Sequence, residues 1–222
     1  MSTPEPLENT MLSRIYGHRR GWAFSKKDFS DIGEAGSIDR ALSRMAEKGV
    51  IRRVIRGLYD YPAYSKLLKK NLSPDIDQVA HALARKFGWQ IQISGNAALN
   101  VMGLSTQVPT QYLYLSDGPS KTYEVGNIAI EFKKTRFTQL GLKYKANEIL
   151  VQAIQALGGR TLSQDETQKI IQYLASTSGL KDVAENGELN EMLINRVLKD
   201  TQYVTSWIVS NIRQVLLNKE AP

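Results

Sequence analysis

The fold is decided by residues 25–62, SKKDFSDIGEAGSIDRALSRMAEKGVIRRVIRGLYDYP. Ser25 and Asp28 have the spacing of a capping box, in which each side chain bonds the other residue's backbone N–H at a helix start. This spacing predicts a short helix over residues 26–32. Two glycines then break the chain, and Ser37 is the expected N-cap of a second helix. Two helices joined by a glycine-containing turn predict a helix-turn-helix.

The second predicted helix has one apolar face and one cationic face. Its apolar residues follow the i, i+3, i+4, i+7 spacing of a buried stripe, and they are Ile38, Ala41, Leu42 and Met45. The opposite face carries the residues that we expect to contact DNA: Ser37, Arg40, Ser43, Arg44 and Lys48. A helix with such a face fits the major groove, where side chains meet both base edges and phosphates.

The next segment, VIRRVIRGLY at residues 50–59, predicts two short strands around an Arg-Gly turn. Arg52, Arg53 and Arg56 lie within this basic hairpin. Placed beside a recognition helix, such a hairpin is expected to meet the DNA backbone or a neighbouring minor groove. The helix-turn-helix and the hairpin together predict a winged helix-turn-helix that binds double-stranded DNA.

The positive charge of the chain is concentrated near its start. Residues 1–70 hold 14 Lys and Arg against 8 Asp and Glu, whereas the remainder holds 15 against 14. An excess of cations on one part of a chain indicates a polyanion-binding region. We therefore predict a DNA-binding domain over residues 1–70, with a frayed arm at residues 1–8, and a second domain over residues 71–222.

The composition also excludes several classes of protein. The absence of cysteine excludes disulfides, thiolate metal sites and a cysteine nucleophile. The first residues lack the apolar core of a signal peptide, and the apolar runs are too short to span a bilayer. We expect a soluble, cytoplasmic protein with no cofactor, no metal ion and no membrane partner.

The second predicted domain begins as a small α/β unit and ends in helices, so the fold class is α+β. A helix is expected over residues 73–87, and strands over residues 91–93, 112–115 and 127–132, with a turn at residues 117–119. Helices are then expected over residues 146–157, 163–177, 189–199 and 203–218. Ser163 and Glu166 form a second capping-box pattern.

One turn of this domain resembles the phosphate-binding entry of polymerase-β-type nucleotidyltransferases. Ser94-Gly95 stands between a predicted strand and a short predicted helix. Such enzymes need a pair of acids on the following strand to hold two metal ions. That strand, residues 112–115, has no acid, while Asp117 lies beyond it and Glu131 stands on a later strand. We therefore expect a similar or degenerate scaffold that is not an enzyme.

Two stretches resemble known proteins. Residues 49–59, GVIRRVIRGLY, resemble the wing of the AbiEi-type antitoxin family. Residues 94–109, SGNAALNVMGLSTQVP, resemble the start of the second domain in a DUF6088-type subgroup of AbiEi-like proteins. The resemblance extends from about residue 11 to residue 134, and the helical end of the chain carries no motif that belongs to it.

The resemblance implies the antitoxin of a bacterial type IV toxin–antitoxin system. In such a system the winged helix represses the antitoxin's own promoter, and the second domain counters a nucleotidyltransferase toxin, with or without direct contact. The positions to which the family's DNA contacts carry over are Arg40, Arg44, Arg52, Arg53 and Arg56.

Two other functions compete with this interpretation. The chain could be an active nucleotidyltransferase with a DNA-binding head, and the missing acidic pair argues against that. It could instead be an interaction module whose winged helix binds protein. The uneven charge argues against a protein-binding module, which needs no arginine-lined hairpin.

Overall fold

A computed structural model describes residues 6–107, 109–135, 142–177 and 191–217 of the chain. Within these ranges the chain forms eight α-helices, one 3₁₀ helix and nine short strands, which is a mixed α+β fold. The chain divides into two compact units: unit 1 is Met1–Ile91 with Thr122–Ile130, and unit 2 is Gln92–Lys121 with Glu131–Pro222. No helix of the described ranges is long and apolar enough to cross a membrane.

Up to Ile91, unit 1 contains four helical segments and two small antiparallel sheets. Its elements up to Ile91 are α1 (Pro6–Gly17), β1 (Ala23–Phe24), the 3₁₀ helix η1 (Lys26–Phe29), α2 (Ala35–Glu47), β2 (Arg52–Ile55), β3 (Leu58–Asp60), β4 (Tyr64–Ser65), β5 (Lys70–Asn71) and α3 (Ile76–Phe87). Strand β3 is the centre of an antiparallel sheet with the order β1-β3-β2. Strands β4 and β5 form a separate two-stranded hairpin.

The predicted capping box at the start of η1 is confirmed. The backbone N–H of Lys27 donates to Ser25 Oγ at 3.2 Å, and the backbone N–H of Ser25 donates to Asp28 Oδ2 at 2.8 Å. The helix that follows is shorter than predicted, because it is one 3₁₀ turn that ends at Phe29. The Phe29 side chain is fully buried and helps to build the core of the unit.

The apolar stripe of α2 is also confirmed. All four predicted residues are at most 1% exposed, and they pack into one core with residues from α1, η1 and the sheet. That core contains Met11, Ile15, Trp22, Phe24, Phe29, Ile38, Ala41, Leu42, Met45, Ile51 and Tyr59. The prediction of a frayed arm over residues 1–8 is wrong for residues 6–8. Helix α1 begins at Pro6 and supplies part of this core.

The basic hairpin has the predicted form. Its two strands, β2 and β3, pair Arg52 with Asp60 and Ile55 with Leu58, and the register is irregular between Arg53 and Ile55. The turn contains Gly57, whose φ of +72° lies in the left-handed region that glycine adopts without steric cost.

Helix α3 packs with unit 1, whereas the predicted boundary at residue 70 assigns it to the second domain. The helix contacts β1, β3 and η1, and Val79, Ala80 and Leu83 on its inner face are fully buried. Its N-cap is Asp75, which accepts from the backbone N–H of Gln78. The helix therefore starts later than the predicted residue 73.

Unit 2 consists of a short αβ segment followed by four helices, while residues 122–130 belong to unit 1. The elements from residue 91 onward are β6 (Ile91–Ser94), α4 (Asn96–Val101), β7 (Gln111–Ser116), β8 (Lys121–Val125), β9 (Ile128–Lys134), α5 (Lys145–Leu157), α6 (Gln164–Thr177), α7 (Glu191–Thr201) and α8 (Ser206–Leu217). Strands β6 to β9 form one sheet with the order β6-β7-β9-β8. The predicted turn at residues 117–119 leads into β8, a strand that was not predicted because only Val125 in it is buried.

The four terminal helices are close to their predicted positions. Helix α5 packs against α6, α7 and α8 through its buried stripe. The start of α5 is held by a residue far away in the sequence. Asp200 on α7 accepts hydrogen bonds from the backbone N–H groups of Lys143 and Tyr144 and from Asn147 Nδ2. The predicted capping box of α6 is confirmed, since Ser163 and Glu166 exchange hydrogen bonds of 3.0 and 3.2 Å. Residues 189, 190 and 218 of the predicted helices lie outside the described ranges.

Candidate nucleic-acid interface

The outer face of α2 lies opposite its buried stripe and carries the predicted DNA-contact residues. Arg40 and Lys48 are exposed, whereas Ser37, Ser43 and Arg44 are half-buried. The core holds the helix by its apolar face, so the orientation of these side chains follows from the 3.6-residue period. The sequence pattern alone was sufficient to locate this face.

The predicted capping role of Ser37 is wrong. The helix starts at Ala35, its N-cap position is Glu34, and the Glu34 side chain makes no capping hydrogen bond. Ser37 therefore lies in the first turn, where its Oγ accepts from Arg40 Nη2 at 3.3 Å. A helix can begin in this way because the chain before it adopts an extended conformation at Glu34, and neither Ala35 nor Gly36 prevents helical geometry.

Two cations of α2 are paired with one buried carboxylate of α1. Arg44 Nε lies 2.6 Å from Glu8 Oε1 and Lys48 Nζ lies 3.3 Å from Glu8 Oε2. The Glu8 side chain is 4% exposed, while those of Arg44 and Lys48 are 40% and 50% exposed. Burial raises the pKa of Glu8, but the hydrogen bonds from Arg44 and Lys48 leave that pKa below its ordinary value. Glu8 thus holds both cations in place at the surface of α2.

Arg52 of the hairpin is engaged within the protein. Its Nε and Nη2 donate to the two oxygens of Asp60 at 3.0 and 2.5 Å, and its Nη1 donates to the carbonyl of Leu72 at 2.9 Å. The Asp60 side chain is 2% exposed, and a buried carboxylate is costly unless a cation and hydrogen bonds compensate it, as Arg52 does here. These contacts give Arg52 a structural role in joining β2, β3 and the segment after β5.

Arg53 and Arg56 are the exposed cations of the hairpin. Arg53 Nη2 donates to Ser43 Oγ at 3.3 Å and to the Tyr59 hydroxyl at 3.1 Å, so it connects the hairpin to α2. Arg56 lies at the turn and is exposed. Within the part of the chain that the structure describes, Arg40, Arg53 and Arg56 have no carboxylate partner.

A further cation reaches the turn of the hairpin from α3. Lys86 Nζ donates to the backbone carbonyl of Arg56 at 3.4 Å. Lys86 was not among the predicted contacts, because the predicted domain boundary at residue 70 places α3 in the second domain. In the sequence, Lys86 is recognisable only as a basic residue near the end of a predicted helix. The packing of α3 on β1 and β3 is what brings Lys86 beside the turn of the hairpin.

Unit 2 has a pocket of its own beside the Ser94-Gly95 turn. Its volume is about 550 Å³, and its lining includes Ser94, Gly95, Gln111 and Glu131. The structure therefore brings the predicted turn and Glu131 together, while Asp117 is not among the lining residues. No group of three or more His, Asp or Glu in the described ranges is arranged to hold a metal ion.

The fold and these two regions define a mixed α+β protein with a cationic helix-and-hairpin surface and a separate polar pocket. The profile of a protein family described as a family of unknown function, DUF6088, matches residues 10–183. The match covers most of the chain, so the chain belongs to the DUF6088 family. No curated protein matches the chain.

Proposed function

We propose that this chain is a transcriptional autorepressor that binds double-stranded DNA at its own promoter, and that it is the antitoxin of a type IV toxin–antitoxin system. One observation carries the DNA-binding part. Arg40 on α2 and Arg53 and Arg56 on the hairpin are exposed, and none has a carboxylate partner in the described ranges. Exposed arginines without internal anions are available to phosphates and guanine edges.

The arrangement of elements supports a winged helix-turn-helix. Helix η1, a short turn and α2 are followed directly by the β2–β3 hairpin, and β1 completes the sheet. In this type of domain the second helix enters the major groove. The Arg53–Ser43 hydrogen bond keeps the hairpin beside α2, so both can engage the same duplex.

The predicted arginine and lysine contacts fall into three groups. Arg40, Arg53 and Arg56 are the primary contacts, because binding to DNA would break no ion pair of theirs within the described ranges. Arg44 and Lys48 are secondary contacts, because Glu8 neutralises part of their charge and fixes their position. Arg52 contributes through the fold of the hairpin.

The antitoxin part rests on the family resemblance. The second predicted domain, residues 71–222, would counter a nucleotidyltransferase toxin encoded in the same operon, by a surface or by regulation. Co-expression with that toxin tests this directly. The chain with Arg40, Arg53 and Arg56 all changed to Ala should still restore growth, because its second domain is intact. Continued toxicity despite normal expression and folding would contradict a separable antitoxin role.

Binding to the promoter tests the DNA-binding part. Fluorescence anisotropy should show binding of the full chain to its own upstream region, with a log–log salt slope of about −0.9 per neutralised phosphate. Arg40→Ala should weaken the specific site by about 1–3 kcal/mol, and Arg56→Ala should weaken specific and scrambled duplexes alike. Arg213→Ala, an exposed arginine of α8, is the matched control. Binding that is insensitive to salt and to both Arg40→Ala and Arg56→Ala would refute the proposal.

The second candidate function is an active nucleotidyltransferase. The observation that favours it is the pocket that contains both the Ser94-Gly95 turn and Glu131. Incubation of the protein with labelled nucleoside triphosphates, magnesium and tRNA distinguishes the two. The proposal expects no transfer of label, since one carboxylate does not clamp two metal ions. Robust transfer that is lost in Glu131→Ala would make the enzyme the leading function.

A further inference from the structure

The pocket of unit 2 has a lining that is polar but almost uncharged. Amide and hydroxyl side chains dominate it, among them Asn100, Ser105, Gln107, Thr110 and Gln111. Its volume of about 550 Å³ lies within the range of pockets that hold small organic molecules. A pocket of this size with convergent polar groups is suited to a specific ligand.

The charge of the pocket limits which ligands fit. Among the described residues that line it, Glu131 is the only one with a charged side chain. The described part of the lining therefore has a net negative charge, with no lysine, arginine or histidine among those residues. Phosphate esters are held most strongly by cations, and the described lining residues include one carboxylate and no cation, so the charge of this lining is unfavourable for them. A ligand that donates hydrogen bonds meets a better environment.

The internal hydrogen bonds of the pocket leave acceptors for such a ligand. Gln111 Nε2 donates to Glu131 Oε2, which fixes the carboxylate and leaves Gln111 Oε1 as an acceptor. Asn100 Nδ2 donates to the backbone carbonyl of Asn96 at 2.9 Å, which leaves Asn100 Oδ1 as an acceptor. A carboxylate has about four acceptor positions in all, so Glu131 retains capacity beyond its bond to Gln111.

We propose that this pocket binds a small molecule that presents two adjacent, coplanar N–H donors to Glu131. This donor pair occurs in the Watson–Crick edge of a guanine base and in a guanidinium group. A carboxylate accepts such a pair through two parallel hydrogen bonds, which gives both affinity and orientation. The inference is independent of DNA binding, because the pocket lies within unit 2 and the arginines of the interface lie in unit 1.

Isothermal titration calorimetry of the full chain tests the inference and separates the two sources of the donor pair. The probes are guanosine, agmatine, inosine and inorganic phosphate. Binding of guanosine with weaker binding of inosine, which lacks the 2-amino group, identifies a base. Binding of agmatine alone identifies a guanidinium ligand. Failure of both guanosine and agmatine to bind, or preferential binding of phosphate, overturns the inference.

Two substitutions locate the site. Glu131→Gln keeps an oxygen that can accept from Gln111, so the local structure is retained, but it removes the charge and should weaken binding at least tenfold. Glu124→Gln makes the same charge change at an exposed residue of β8 outside the pocket and should leave binding unchanged. Thr110→Trp at the exposed rim should block binding by filling the space. Unaltered affinity in both Glu131→Gln and Thr110→Trp would place the ligand elsewhere and overturn the inference.

Discussion

Arg52 and Asp60 face each other on neighbouring strands, and the guanidinium donates two hydrogen bonds to a carboxylate that is almost completely buried. The same arginine also reaches the carbonyl of Leu72. The most conspicuous arginine motif of the hairpin thus contains one residue that serves the fold and one, Arg53, that faces outward. Their difference follows from strand alternation, which sends successive side chains to opposite faces.

Arg52→Ala should destabilise the protein, because it leaves the buried Asp60 carboxylate without its cation. We expect the free energy of unfolding to fall by about 2–3 kcal/mol, measured by urea denaturation. Arg56→Ala is the control, and its effect should stay within about 0.5 kcal/mol because the residue is exposed. Equal stability of the two variants, with Arg52→Ala weakening DNA binding alone, would show that Arg52 is a phosphate contact after all.

Glu8→Gln should lower the free energy of unfolding at pH 7 by about 1–2 kcal/mol, because it removes the charge that binds Arg44 and Lys48. The pKa of Glu8 is lowered in the folded protein, so its ionised form stabilises the fold above the unfolded pKa of about 4.3. That contribution disappears as the pH falls through the lower, folded pKa.

Denaturation of wild type and Glu8→Gln between pH 7 and pH 3 measures this dependence. The stability difference between them should shrink only below about pH 4.3. Glu47→Gln, at an exposed glutamate of the same α2 helix, should show little difference at either pH. A difference that stays constant across the acid range would exclude the ion pairs as its source.

A fragment that ends at residue 91 should be more stable than one that ends at residue 70. Helix α3 covers the core with Val79, Ala80 and Leu83, and Arg85 of α3 bonds both Asp28 and the carbonyl of Ala23. Removing the helix exposes this apolar surface to water. Thermal unfolding followed by circular dichroism should show a cooperative transition for 1–91 and a weaker or absent one for 1–70. Identical transitions would mean that α3 contributes nothing to unit 1.

Glu166 should titrate with a pKa of about 2, mainly because the Arg160 guanidinium donates hydrogen bonds to its carboxylate. NMR titration of the side-chain carboxyl measures this value. Arg160→Ala should raise the pKa toward the ordinary value of about 4.3, and Arg213→Ala should not change it. Because the folded pKa is depressed, the stability that Glu166 contributes is lost between about pH 4.3 and pH 2. A pKa near 4 in the wild type would show that the pair does not form in solution.

The sequence alone determined the features that depend on residues close together in the chain. The capping boxes at Ser25 and Ser163, the buried stripe of α2 and the Arg-Gly turn are each built from successive positions that lie at most four residues apart. Such features follow from helix period, local hydrogen bonding and the conformational freedom of glycine. The cationic face of α2 and the basic hairpin were predictable for the same reason.

Only the tertiary structure decided which cations remain available to a ligand. Glu8 reaches Arg44 across 36 residues, Arg85 reaches Asp28 across 57, and Lys86 reaches the carbonyl of Arg56 across 30. No local pattern encodes these contacts, because each depends on how α1 and α3 pack on the rest of unit 1. The sequence determined where positive charge lies along the chain. The packing of buried carboxylates such as Glu8 against some of those charges determined which arginines of the interface have no carboxylate partner within the described ranges.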